Sequence, residues 1–293
     1  MASMTTNREE AGIKMFECNP NEEEVSKKFD EDGFVCISAL FPGRVVQELL
    51  GSYERSFQEC FRALHKSGRI PFPHSHLVEE GGGDVSYPLG VGVKHGYREI
   101  VMRSPGRYEV TYGLSASKKP FDGAVADAKV EHIVRALFKG CDYYLSSLSV
   151  VTATPGCPQQ AWHADGGHVD LSQHQPCHCL NVFLPLVDLT PQLGPTQVRP
   201  GTHHHTRNLA PMMLAAKARK TLRPPLTPIL NAGDALVFDY RVLHRGLPNV
   251  TANSRPILVM AFAKKWFTDI LNFPRRSMLH AHHDQSSDQS TEE

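Results

Sequence analysis

Trp162-His163-Ala164-Asp165 sets an imidazole and a carboxylate two residues apart. In an extended segment, residues i and i+2 project from the same side, so His163 and Asp165 can offer a nitrogen and an oxygen to one ion. A third ligand has to come from elsewhere in the chain. The candidate is His244, which lies just past the apolar run Leu236-Val237-Phe238 that Gly233-Asp234 introduces. Two histidines and one carboxylate leave coordination positions open, an arrangement that suits iron(II), 2-oxoglutarate and dioxygen. A structural zinc site would be closed and generally richer in sulfur.

Beyond His244 comes Arg255, in Asn253-Ser254-Arg255-Pro256 ahead of the strand-like Ile257-Leu258-Val259-Met260. A keto acid that chelates iron through one end leaves its second carboxylate pointing away. A guanidinium fork grips such a group in bidentate fashion, which lysine cannot do. A hairpin from His244 to Arg255 would turn both side chains toward one cavity. His-x-Asp alone is common on solvated strands, and the distal histidine with its arginine is what gives the pair weight.

These residues need a frame to hold them. Residues 1–20 read as a disordered lead. Asn21 is a cap for a short helix with acids in its first turn, which Gly33 ends, and Phe34 to Phe41 reads as a strand. After Pro42, apolar residues from Val45 to Leu64 recur at three- and four-residue spacing, predicting an amphipathic helix to about Gly68. Residues 69–125 lack sustained periodicity, with short strands expected at Tyr97–Met102 and Tyr108–Gly113, and a further helix is expected over Ala126–Lys139. Then the pattern turns to strands: Tyr143–Ala153, His178–Val187, Gln197–Pro200, Asp234–Phe238 and Ile257–Phe262, with an inserted helix around Leu209–Leu222. Helices first and many short strands after predict a mainly β jelly-roll core, about residues 143–268, with N-terminal helices packed on it. One domain over residues 21–273 and a disordered tail over 274–293 complete the expected organisation.

Whole-chain properties narrow the partners. Lysine plus arginine equals aspartate plus glutamate at 31 each, so no net charge draws the chain to nucleic acid or an anionic membrane. No apolar stretch approaches the ~20 residues needed to span a bilayer. The polar start lacks a secretory leader, the seven cysteines are irregularly spaced, and the Ser-Thr-Glu-Glu end lacks a peroxisomal signal. A reduced, cytoplasmic protein acting on a small molecule is the expectation.

The segments Ala161–Asp165, Leu180–His204 and Leu236–Asn249, with Arg255 beyond, resemble the phytanoyl-CoA dioxygenase family of iron(II)- and 2-oxoglutarate-dependent oxygenases. The likeness covers about the last half of the chain, and the Phe29–Phe41 segment also looks like the family's opening strand. It implies a double-stranded β-helix, the iron ligands His163, Asp165 and His244, and Arg255 as the anchor for 2-oxoglutarate. It further implies a co-substrate contact at Asn181 and, less directly, at Thr152 on the preceding strand. Halogenating relatives carry a small residue in place of the metal carboxylate, so Asp165 favours hydroxylation, with 2-oxoglutarate converted to succinate and CO2. Desaturation, epoxidation or ring closure at the same site, and a non-enzymatic metal- or metabolite-binding jelly roll, are the alternatives.

Other residues have two readings. In the Arg- and Tyr-rich stretch 96–113, Arg107 or Tyr108 would touch substrate, or belong to a solvated strand pair. Trp162 would line the pocket or pack as an aromatic. His203-His204-His205, after Pro200-Gly201-Thr202, reads as a turn with solvated histidines, and Cys177-His178-Cys179 as ordinary thiols without finger-like partners.

Overall fold

A computed structural model describes residues 13–67, 99–112, 120–205, 214 and 217–269. Asn21 opens helix α1 (Glu22–Asp32) by accepting from Glu24 N at 3.0 Å, and Gly33, at φ 80°, closes it. That left-handed turn feeds directly into β2 (Phe34–Ile37) and suits glycine because no Cβ is present to clash. Helix α2 (Gly43–Ser67) follows as expected. The third expected helix is α4 (Ala128–Leu137), and a short helix α3 (Phe121–Val125) precedes it in the stretch expected to be irregular. Asp127 separates the two: its backbone is extended and its carboxylate caps Lys129 N at 2.9 Å.

Among the described residues, ten strands form two sheets. The larger has the order β1-β2-β8-β6-β10-β5-β4-β3, and the smaller pairs β7 (Thr196–Val198) with β9 (His244–Gly246). In the large sheet β1 is Met15–Phe16, β3 Ile100–Ser104, β4 Arg107–Thr111, β5 Tyr143–Ala153, β6 Cys179–Pro185, β8 Ala235–Asp239 and β10 Arg255–Lys264. All of its pairings are antiparallel except β1 with β2. This is the predicted jelly-roll architecture. Strand β1 falls inside the stretch expected to be a disordered lead, because two residues at a sheet edge leave too short a pattern to read. Of the inserted helix expected at Leu209–Leu222, most lies outside the described residues, and 214, 217 and 218 are helical. Tyr97 and Gly113, the outer bounds of the two expected short strands, also lie outside. Among the described residues no helix is long and apolar enough to cross a membrane.

Alternation along the strands divides the large sheet into two faces. Leu180, Val182 and Leu184 of β6, Leu258, Met260 and Phe262 of β10, and Leu148 and Val150 of β5 join the core beneath α1, α2 and α4. Their neighbours Asn181, Phe183, Val151, Ile257, Val259 and Ala261 turn the other way. There they line a cavity of about 580 Å³, which β7 and β9 close through Thr196, His244 and Gly246.

Candidate metal centre and co-substrate cavity

His163, Asp165 and His244 come together at this cavity, with one nitrogen or oxygen from each lying within 4.8 Å of the others. An antiparallel bridge sets the two histidines side by side: His163 N donates to His244 O at 3.0 Å and His244 N to His163 O at 2.9 Å. Each imidazole is oriented by its own chain. His163 Nδ1 donates to the Ala161 carbonyl at 2.9 Å and His244 Nδ1 to the Val242 carbonyl at 3.0 Å, leaving the Nε2 lone pairs free to bind an ion. Asp165 Oδ1 lies 3.6 Å from His244 Nε2 and 3.9 Å from His163 Nε2.

The carboxylate is held from behind. Asn181 Nδ2 donates to Asp165 Oδ2 at 2.6 Å, and Asp165 N donates to the Tyr240 carbonyl at 2.9 Å. Gly166 lets this turn form, since a Cβ there would stand 1.9 Å from the Tyr240 ring. Phe238 and Phe183 flank His244 with ring centroids at 4.8 and 6.4 Å. Burial keeps the His244 imidazole below its ordinary pKa, hence neutral and ligand-competent, against the opposing pull of Asp165. Two aligned imidazoles and one tethered carboxylate, with an open side toward a cavity, fit iron(II).

Behind this set the cavity wall holds Arg255, 3% exposed; Arg107, 1% exposed, is buried close to it but is not itself part of the cavity lining. Arg255 donates through Nη1 to the Gly194 carbonyl, and Arg107 through Nη1 and Nη2 to the carbonyls of Pro158 and Leu247. The Nε of each has no hydrogen-bond partner. Neither forms an ion pair with a carboxylate among the described residues. Burial, with the neighbouring Arg107 charge, pushes the Arg255 guanidinium down to about 9. A buried cationic pair of this kind is unfavourable until an anion neutralises it.

The other expected site residues are placed differently. Asn181 lines the cavity but holds Asp165 directly. Thr152 faces away from the cavity and bonds the Tyr53 hydroxyl at 2.5 Å in the core under α2. Tyr108, paired with Thr152 across β4 and β5, also faces that core, edge-on to Phe57 at 6.2 Å. Trp162 lies between two guanidinium groups, Arg199 at 4.9 Å and Arg245 at 4.4 Å, and is not part of the cavity lining. Arg107 alternates with Tyr108 and therefore turns toward Arg255 instead.

Residues that sequence reasoning did not single out also shape the cavity. Arg103 and Glu109 form an ion pair on its wall, with Gln160, Tyr240 and Asp269 also lining it. Glu109 follows Arg107 by two, so strand alternation was the available signal. Tyr240 carried none, since its role depends on a hydroxyl that accepts from His178 Nε2 at 3.1 Å. Cys177 and Cys179 are buried free thiols, as their spacing suggested. The histidines after Thr202 differ from expectation: His203 is buried and His204 half-buried, both bonded to the Asp30 carbonyl.

Residues 29–257 match the family profile described as phytanoyl-CoA dioxygenase. A curated relative, Dioxygenase hkm4 of Aspergillus hancockii, is 26% identical over 249 residues, 83% of this chain and 72% of that one. Two solved structures share the fold at lower identity. AviO1 from Streptomyces viridochromogenes Tue57 superposes with a TM-score of 0.56 at 19% identity, over 87% of this chain and 97% of its own. HygX from Streptomyces hygroscopicus, solved with nickel, 2-oxoglutarate and hygromycin B, gives 0.56 at 15%, over 84% and 88%.

Proposed function

This chain belongs to the phytanoyl-CoA dioxygenase family of iron(II)- and 2-oxoglutarate-dependent oxygenases, and we propose that it hydroxylates a C–H bond of a small molecule. Substrate, dioxygen and 2-oxoglutarate would give the alcohol, succinate and carbon dioxide. The observation that carries this reading is the pairing of two features in one cavity. One is the convergent His163–Asp165–His244 set, and the other is Arg255 in the wall, with Arg107 buried close by and no carboxylate partner for either among the described residues.

His163 Nε2, His244 Nε2 and Asp165 would hold the iron, with Asn181 fixing which carboxylate oxygen is presented. Bound iron(II) supplies the redox chemistry that couples dioxygen to oxidation of 2-oxoglutarate and substrate. Arg255 would grip the distal carboxylate of 2-oxoglutarate, and Arg107 would add its charge from close by. Phe183, Ile257 and Val259 give the cavity an apolar floor that excludes water around the reacting groups. The small molecule would enter past Arg103, Glu109 and Gln160, which also line the cavity and offer hydrogen-bonding groups to a polar substrate. The same frame supports one catalytic domain over residues 21–273. HygX was solved with hygromycin B, a small molecule, which favours that class of substrate here.

Succinate formation is the test. Anaerobically prepared protein receives iron(II) and 2-oxoglutarate, then oxygen, in parallel with His163→Ala and Arg255→Ala. Iron-dependent succinate in the wild type, abolished by His163→Ala, is the expected result. Failure of iron and 2-oxoglutarate to bind together would overturn the oxygenase reading. With a substrate in hand, product masses separate hydroxylation (gain of one oxygen) from desaturation or ring closure (loss of two hydrogens).

A further inference from the structure

Apart from the cavity, three imidazoles from two remote segments meet at a second place. His174 belongs to the loop between Asp165 and β6, while His203 and His204 form a 3-10 turn after Gly201. One nitrogen from each lies within 4.8 Å of the others. The rings are closely packed, with centroids 3.9 Å apart for His203 and His204 and 4.3 Å for His174 and His204. We propose that His174, His203 and His204 form a second divalent-metal site, of the zinc class, that clips the cavity loop to the end of helix α1.

Three observations support the site. First, the Asp30 carbonyl lies 3.1 Å from Nε2 of both His203 and His204. A backbone carbonyl that accepts an imidazole N–H fixes the tautomer and turns the other nitrogen into a donor of electrons, as it does behind many histidine ligands. Second, His203 is 3% exposed and its Nδ1 is buried with no hydrogen-bond partner. Third, the nearest charges, Asp239 and Arg241, are bonded to one another through Arg241 Nε and Nη2, so the cluster has no carboxylate in its donor set. An all-imidazole set favours zinc and its neighbours over magnesium or calcium. Tetrahedral zinc with bonds of about 2.1 Å needs nitrogens about 3.4 Å apart, against the 4.8 Å within which these atoms lie, so the rings would close on the ion as it binds.

The location gives such a site a purpose. His174 lies in the loop that begins at Asp165, and Thr202, next to His203, accepts from Leu243 N at 2.9 Å, immediately before His244. An ion here would tie together the two segments that carry Asp165 and His244, and through Asp30 would tie both to α1.

The test uses untagged full-length chain in which the first metal set is disabled by His163→Ala with Asp165→Ala. Cobalt(II), a zinc probe with visible absorption, is titrated and metal per chain is counted after desalting. One equivalent should remain bound in a low-coordinate, intensely absorbing form, and it should be lost on adding His174→Asn or, separately, His204→Asn. Amide exchange across 166–178 should slow when zinc is added to the disabled chain and should not respond in the His174→Asn variant. Absence of bound cobalt in the disabled chain would overturn the proposal, as would cobalt that survives both histidine substitutions. Neither outcome bears on the iron reading, because the first set is absent throughout.

Discussion

Replacing Arg255 by leucine separates what the buried cation does for the fold from what it does for the ligand. In the free protein the guanidinium is desolvated, lies beside Arg107 and has one carbonyl acceptor, Gly194. Removing it relieves unfavourable burial of charge and leaves one carbonyl unpaired, two effects of similar size, so stability without ligand should move by no more than about 1–2 kcal/mol. Ligand binding should change far more. Charge-assisted bonds to a carboxylate contribute about 1.5–3 kcal/mol, which weakens 2-oxoglutarate binding by about 10- to 150-fold when they are lost. At a concentration 100 times the wild-type Kd, 2-oxoglutarate stabilises the wild type by about 2.7 kcal/mol. A variant weakened 100-fold gains only about 0.4 kcal/mol. At about 2–4 °C per kcal/mol for a chain of this size, that is a Tm increase of about 5–10 °C against about 1–2 °C. Thermal unfolding with manganese(II) in place of iron reads this directly and without turnover. Arg255→Lys should fall between, since it keeps the charge but loses the fork. An Arg255→Leu protein that retains the full ligand-induced increase would refute the assignment of this arginine to the distal carboxylate.

Asn181→Leu removes the donor that holds Asp165 Oδ2. Metal affinity should fall about 10- to 100-fold, measured by competition with a chelator, while the fold persists. Thr152→Val should do the opposite: it strands the buried Tyr53 hydroxyl and costs about 1–3 kcal/mol in urea unfolding, with KM for 2-oxoglutarate unchanged. His178 gives a pH signature. Burial, reinforced by Arg241, lowers it to about 4, so between that value and its ordinary 6.5 the unfolded chain binds the proton and the folded one does not. Stability therefore rises with pH across that window and is lost as pH falls through it, by at most about 1.4 kcal/mol per pH unit. His178→Asn should flatten the urea midpoint between pH 4.5 and 6.5, and an unchanged slope would count against this burial as its source.

Much of this arrangement was legible in the sequence because it rests on local rules. The cap at Asn21 and the stop at Gly33 are local chemistry, and helix α1 has those bounds. His163 and Asp165 share a side because the segment is extended. What stayed hidden depends on partners remote in the chain. Thr152 and Tyr108 sit on strands whose two faces both carry polar and apolar residues, so the pattern alone does not reveal that α2 covers the even-numbered side. His203 looked solvated because its acceptor, the Asp30 carbonyl, lies over 170 residues earlier. Trp162 is adjacent in sequence to the candidate ligand His163, yet its ring lies against Arg199 and Arg245 and is not part of the cavity lining.

The division of the large sheet explains how the fold keeps two arginines in its interior with no carboxylate partner among the described residues. On β4 and β5 the register pairs Arg107 with Ala153 and Tyr108 with Thr152, so a slip of one residue would exchange the polar and packing sides together. The Tyr53–Thr152 bond and the Phe57–Tyr108 contact lock that register from the helix side. Arg107 is thus held close to Arg255 by packing on the far face and by its bonds to the Pro158 and Leu247 carbonyls, and not by an ion pair. The same holds for Arg255, whose strand is fixed by Leu258, Met260 and Phe262 in the core. Core packing sustains two buried cations with no carboxylate partner among the described residues, and under the proposed function binding of a dicarboxylate would be the event that neutralises them.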